Sequence, residues 1–344
     1  MVERENTKQE VEFRKIQYSG KSSFTIALPK KWVTNQKLNA GDQLSVRSDN
    51  SNNLVLSTTN KNSKEKKRSR IVVDQSDNKG QIERKIIATY ISGYTEINIC
   101  SKQERITPQQ RSAIKKLVRN KLVGSEIIED SNLIISIQVI LNPEEFNIQN
   151  TLRRMSVITQ GMHGDIIYAI KKNDIEMCNE IIKTDDDVDR FSLYSVRQLR
   201  FALENESSLL ALGVSNKIYC LGYRMISKSL ERIADHATMI GEQLIGLKKP
   251  LPKIVVSKLD EFSKFSIDNL DNAMKALFKK DYKLADQVVT SCLLAEKMER
   301  KILNSNIKLS QEQNACLTSM LEHIKRVSDH SADIGEVVIN LTIE

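Results

Sequence analysis

Two pairs of carboxylates stand at a spacing that strains a helix unless a cation comes between them. Asp185 and Asp189 are four residues apart, and so are Glu231 and Asp235. Residues at i and i+4 share one helix face, and like charges there repel. Two antiparallel helices that each present such a pair would make an oxygen-rich site for a hard or borderline cation. Glu242 lies seven residues beyond Asp235, two turns along the same face. A plainer alternative stands beside this one. Acidic pairs on helices are commonly solvated faces, and the Asp185-Asp186-Asp187 run also suits helix-end amides. Turnover chemistry has little to work with. There is no G-x-S-x-G, no Walker loop and no H-E-x-x-H, and the four histidines (His163, His236, His323, His330) make no nucleophile–base motif. An enzyme is not expected.

The elements that carry these carboxylates repeat. Residues 230–242 read LERIADHATMIGE and residues 324–336 read IKRVSDHSADIGE. Arg, Asp, His, Ile, Gly and Glu recur at matching places, 94 residues apart. Recurrence at a fixed offset marks duplicated architecture. From about 143 onward apolar residues recur at i, i+3 and i+4, as in VDRFSLYSVRQL, and few Gly or Pro interrupt. KKPLPK at 248–253 divides the stretch into two halves, each long enough for three helices. Three-helix bundles are therefore predicted over 145–248 and 251–344. The second half is weaker as a site. Lys325 stands where Glu231 stands in the first, and Ala295 where Asp185 stands. Glu296, Glu299, Asp329, Asp333 and Glu336 remain, with Asp329 and Asp333 again at i, i+4. His236 and His330 follow the repeated Asp. They are expected to pack on the bundles with one hydrogen bond each rather than to act as ligands.

The front of the chain reads differently. FRKIQYS and SFTIAL alternate around Gly20 as half-buried strands do, and Pro29 is placed to open a short helix through KKWVTNQKL. Gly41-Asp42 is a turn, and QLSVRS and NLVLST form a second hairpin. A module this small is marginal alone and is expected to complete its core by dimerising. Residues 1–70 hold 15 Lys and Arg against 7 Asp and Glu, a net charge of +8, while the remainder balances to zero. An excess confined to one end points to a polyanionic partner, or to a solvated basic face ahead of the Lys-rich linker at 60–70. Residues 71–141 alternate strand and helix signals, an α+β module in which no ligand motif stands out. Five scattered cysteines without a C-x-x-C suit free, mostly buried thiols in a reducing cytosol. The charged start is not expected to act as a secretory signal, and no run of about 18 apolar residues would span a bilayer.

The repeated Arg-x-x-Asp-His segments, the Asp-rich DDDVDR before them and the two-bundle layout resemble the PhoU family. That resemblance implies two three-helix bundles whose E/D-x-x-x-D motifs hold metal clusters, iron or zinc first, with magnesium or manganese as alternatives. Carried across, the first site would use Asp185, Asp189, Glu231 and Asp235. The second would use Glu299 and Asp329, with Asp333, although Lys325 departs from the family's acid.

RKIQYSGKSSFTIALPKKWV, LNAGDQLSV and NLVL resemble the AbrB/MazE (SpoVT-AbrB) type. This implies a swapped-hairpin β-barrel over about 10–60, an intertwined homodimer, and DNA contact through Arg14, Lys15, Lys21, Lys30 and Lys31. The expected chain is thus multidomain: a small swapped-hairpin β-barrel, an α+β connector and a pair of all-α bundles. It is expected to be a cytoplasmic phosphate-responsive regulator that binds DNA and a phosphate ABC transporter or its signalling partner. The alternative is an adaptor that inhibits the transporter, its front domain serving only to dimerise.

Overall fold

The computed structural model describes residues 11–20, 23–48, 52–58, 67–102, 105–142, 145–204 and 206–343. The chain divides into two compact units, Met1–Glu65 and Lys66–Glu344.

The described residues of the first unit form two hairpins and a short helix. β1 (Gln17–Ser19) pairs antiparallel with β2 (Ser23–Thr25), so that Tyr18 lies opposite Phe24 with ring centroids 4.6 Å apart. α1 (Lys30–Asn35) starts behind Pro29, whose fixed φ is already −60°. Gly41 then turns the chain at φ +98°, a conformation that L side chains resist, and Asp42 accepts a hydrogen bond from the Asn39 amide at 2.7 Å. β3 (Leu44–Ser48) pairs with β4 (Leu54–Thr58), Val46 opposite Leu56. The two hairpins form two separate two-stranded sheets. A closed barrel is therefore not made by one chain's described strands. None of the described residues of this unit is buried.

The second unit opens with an α+β module. It runs β5 (Arg68–Val73), α2 (Lys79–Ile91), β6 (Glu96–Ser101), α3 (Pro108–Lys121), β7 (Ser125–Asp130) and β8 (Ile134–Val139). Sheet order is β5-β6-β8-β7, with β5 and β6 parallel across the α2 crossover and the other pairs antiparallel. Both helices begin with reciprocal caps, Asn78 with Gln81 and Thr107 with Gln110. Ile82, Ile86, Ile97, Ile99, Ile114, Ile135 and Ile137 are fully buried between helices and sheet.

The helical part follows as α4 (Ile148–Lys172), α5 (Ile175–Glu204), the short α6 (Glu206–Ala211) and α7 (Tyr219–Gly246). α8 (Lys253–Lys279), α9 (Tyr282–Leu303) and α10 (Gln311–Thr342) complete it. The duplication shows in the turns. α4 and α8 end in left-handed residues, Asn173 at φ 54° and Lys280 at φ 52°. An aspartate follows each and caps the next helix: Asp174 accepts from the Met177 amide and Asp281 from the Leu284 amide. The repeated glycines explain themselves too. Gly335 lets α10 approach α9 so closely that a Cβ would stand 3.0 Å from the Ala285 carbonyl, and Gly241 lies against Cys178 of α5. α7 packs on α4, α5 and α10, α10 packs on α8 and α9, and α4 also meets α8. The halves thus share one continuous core from Ile148 to Val338.

Arg197 of α5 holds the α+β module to the helices. It is 2% exposed, donates to the Tyr90 carbonyl and lies 4.8 Å over the Tyr90 ring. No described helix is long and apolar enough to cross a membrane. All five cysteines are free thiols, four of them buried.

Candidate functional site

α5 and α7 bring the four carboxylates of the first half into one electrostatic neighbourhood. The Asp185 carboxyl is pushed up to about 7, first by burial and then by Asp189 and Asp235. Asp235 is raised as well, by burial, by Glu231 one turn before it and by Asp189 across the helix pair. The i, i+4 spacing on each helix and the α5–α7 packing together account for this. One Asp185 carboxylate oxygen, Oδ1, is buried without a hydrogen-bond partner. An unpaired buried carboxylate oxygen is costly, so the helices hold it there at the expense of stability.

Two lysines temper the cluster. Lys121, from the end of α3, reaches Asp189 at 2.9 Å and Asp186 at 3.4 Å. Lys228 pairs with Glu231 at 2.5 Å. Lys228 is legible in the sequence, three residues before Glu231 on the same helix. Lys121 is not, because 68 residues separate it from Asp189 and only the fold joins them. Among the described residues no group of three or more His, Cys, Asp or Glu side chains is arranged to hold a metal ion.

The second half is partnered differently. The Lys325 ammonium donates to both Glu299 oxygens, at 3.0 and 3.3 Å, and to Glu322 at 2.7 Å. A lysine thus supplies the positive charge beside Glu299. Asp329 and Asp333 stand around Cys292. The Cys292 thiol stands 3.7 Å from Asp329 and is pushed up by burial and by Asp329, Asp333 and Glu296. Asp329 also faces Arg326 at 3.5 Å, and Asp333 faces His330 at 3.1 Å. Sequence reasoning set Ala295 at the place of Asp185, but the matching caps Asp174 and Asp281 stand 107 residues apart, and that offset puts Cys292 there instead.

The α7–α10 seam collects three histidines. His236 Nδ1 lies 3.2 Å from His323 Nδ1, and the His236 ring stacks on His330 with centroids 5.6 Å apart. Burial first, then His323 and His330, push His236 down to about 3. A recess of about 330 Å³ opens beside them, lined by Arg232, Asp235, His236, Met239, Arg326 and His330. Arg232 and Arg326 are duplicates of one another, as are His236 and His330, so the recess sits where the repeats meet. His163 is fully buried on α4, bonded to the Ile233 carbonyl at 2.8 Å, and it too bears on His236.

In the first unit Arg14, Lys15, Lys30 and Lys31 are exposed, and Arg14 pairs with Glu12. Lys21 lies outside the described residues.

Residues 152–244 and 259–338, together just over half of the chain, match the family model described as the PhoU domain. The two stretches fall on the two helical repeats, α4–α7 and α8–α10. No curated protein matches the chain. Among solved structures it is similar to the phosphate transport system regulatory protein PhoU from Streptococcus pneumoniae, at 17% identity and a TM-score of 0.49, over 56% of this chain and 92% of that one. It is also similar to PhoU from Pseudomonas aeruginosa, at 15% identity and a TM-score of 0.43, over 56% and 94%.

Proposed function

The chain belongs to the PhoU family, and on that premise we propose that it is a cytoplasmic, non-enzymatic, phosphate-responsive regulator that restrains phosphate uptake. The observation that carries this is the family match over both helical repeats. In this reading the helical part engages a phosphate ABC transporter or its signalling partner. The first unit dimerises the chain and binds DNA through Arg14, Lys15, Lys21, Lys30 and Lys31. Deleting the gene should raise phosphate uptake in phosphate-replete cells, and the wild-type chain should restore restraint. Uptake unchanged by deletion would refute the reading. Phosphatase turnover by the purified chain, lost in Asp235→Ala, would refute its non-enzymatic part.

A metal belongs to the reading at the first carboxylate site. Asp185, Asp189, Glu231 and Asp235 are all oxygen donors, suited to iron, magnesium or manganese and accepted by zinc. The buried, unpartnered Asp185 oxygen and the raised carboxyls beside it are what a cation would relieve. When bound, it would neutralise the cluster and tie α5 to α7. In the second half Asp329 and Asp333 remain candidates, while Glu299 already has Lys325. Elemental analysis of purified protein should find metal that Glu231→Ala with Asp235→Ala removes while helical content persists. Equal metal in both proteins would move the site elsewhere.

The dimer rests on a separate observation. Phe13, Tyr18, Phe24 and Leu54 are 64–93% exposed in a single chain. A second copy pairing with these hairpins would cover them, as a swapped-hairpin barrel does. The adaptor reading uses the same dimer without DNA. Promoter retention that survives physiological salt separates the two, since purely electrostatic, sequence-blind binding fades there.

A further inference from the structure

The α+β module carries a surface that neither the helical repeats nor the first unit explains. α3 (Pro108–Lys121) holds five basic residues, Arg111, Lys115, Lys116, Arg119 and Lys121, and no acidic one. Solvated helix faces ordinarily mix signs, because opposite charges at i, i+4 stabilise the helix. Of the five, Lys121 is committed to Asp186 and Asp189. Arg111 and Lys115 share a single carboxylate, Asp130, at 2.7 and 2.5 Å. Lys116 and Arg119 are exposed, and no ion pair among the described residues reaches them.

The face is also shaped. Pro108, Arg111, Ser112, Lys115, Lys116, Arg119 and Asn120 line a recess of about 460 Å³. A second recess of about 440 Å³ shares Pro108, Ser112 and Lys116 with it and adds Lys79 from the start of α2. No acidic side chain lines either one. No large apolar side chain lines them either, so the aromatic or aliphatic anchor typical of a protein-docking surface is missing. Arginine, lysine, serine and asparagine are the side chains that grip phosphate oxygens. From Arg111 to Arg119 the helix rises about 12 Å, the axial length of three to four phosphates along one strand of a duplex.

We propose that the basic face of α3 binds the phosphate backbone of double-stranded DNA, a second nucleic-acid contact besides the one assigned to the first unit. Lys116 and Arg119 carry the contact, with Ser112 and Asn120 as hydroxyl and amide donors. Such contacts add affinity and fix register without reading bases. They therefore tighten binding to any duplex, whatever its sequence.

The test uses the full-length chain and a short fluorescein-labelled DNA duplex, with affinity measured by anisotropy across a potassium chloride series. Lys116→Ala with Arg119→Ala should lower affinity roughly tenfold near 0.1 M salt and flatten the log–log salt slope by about 2, close to one unit for each phosphate left unneutralised. Both side chains are exposed, and an unchanged circular dichroism spectrum confirms the fold. Lys30→Ala with Lys31→Ala is measured in parallel. If that variant weakens while the α3 variant keeps wild-type affinity and slope, the α3 contact is refuted and the first-unit contact stands. If only the α3 variant weakens, the α3 contact stands and the first-unit reading fails. Competition by poly-glutamate as effective as by DNA of equal charge would mark the face as a site for acidic proteins and overturn the proposal.

Discussion

The two units of this chain solve opposite problems with similar residues. In the helical part Phe262, Leu230, Ile233 and Met320 are completely buried, and one core runs through both repeats. In the first unit Phe13 is 93% exposed and Tyr18 75%, and the two hairpins share no strand pairing. Full burial of a Phe- or Leu-sized side chain contributes about 1.5–3 kcal/mol, which the first unit forgoes at each such position while it is alone. Helices of 22 residues or more, folded back on one another, can enclose their own apolar stripes. Strands of three to five residues cannot, because a two-stranded ribbon has no second layer. One unit encloses its own core, and the other leaves its large apolar side chains exposed.

The sharpest way to break that contrast is to remove the stickiness of the small unit. Tyr18→Asp with Phe24→Asp puts two charges on facing positions of the first hairpin. Light scattering coupled to gel filtration should show the mass per particle fall from two chains to one, with α-helical circular dichroism intact. A wild-type protein that already runs as a single chain would show that the exposed apolar residues need no second copy.

Phe262→Ala probes the other side. Emptying a fully buried phenylalanine position costs about 3–5 kcal/mol, so thermal or denaturant unfolding of the helical part should shift strongly downward. The particle mass should not change, because the cavity lies in the body that closes its own core. A change in mass instead would tie the helical core to the assembly of the dimer.

Acid should find the helical core next. His163 is fully enclosed, and burial holds it down to about 4 against an ordinary value of 6.5. The unfolded chain takes up a proton at this residue below about pH 6.5, while the folded chain refuses it until about pH 4. Its contribution is therefore fully present above about pH 6.5 and is lost as pH falls through that window, by up to about 1.4 kcal/mol per unit. Denaturant titrations of wild type and His163→Gln across that same window check this. The variant should show the flatter profile, and parallel profiles would place the acid sensitivity at other groups.

The same contrast governs how much could be read in advance. Order and type of most elements were legible, since the period of two around Gly20 and the helical period after residue 143 are local signals; the short α6 was not, and β5 begins at Arg68, inside the stretch read as a linker. The duplicated Arg-x-x-Asp-His segments announced two bundles, and the family match falls on both. What stayed hidden lies in contacts between distant residues. Lys121 beside Asp189, Arg197 under Tyr90 and the His236–His323–His330 group all join elements whose packing no single segment encodes. The basic run on α3 was visible as letters. Its lack of acidic partners became meaningful only when the fold placed Asp130 as the one carboxylate serving both Arg111 and Lys115.

The smallest effect sharpens the duplication itself. Asp174 and Asp281 follow left-handed residues and cap α5 and α9 through matching hydrogen bonds, at 3.0 and 3.1 Å. Replacing an aspartate N-cap with alanine typically costs about 1 kcal/mol. If the repeats are equivalent parts of one cooperative core, Asp174→Ala and Asp281→Ala should each lower stability by about that amount, and the double variant by the sum, because the sites are distant and share no partners. Denaturant unfolding followed by circular dichroism measures all three. A double variant that unfolds in two steps would show the bundles separating, and the continuous core from Ile148 to Val338 would then be two cores in contact.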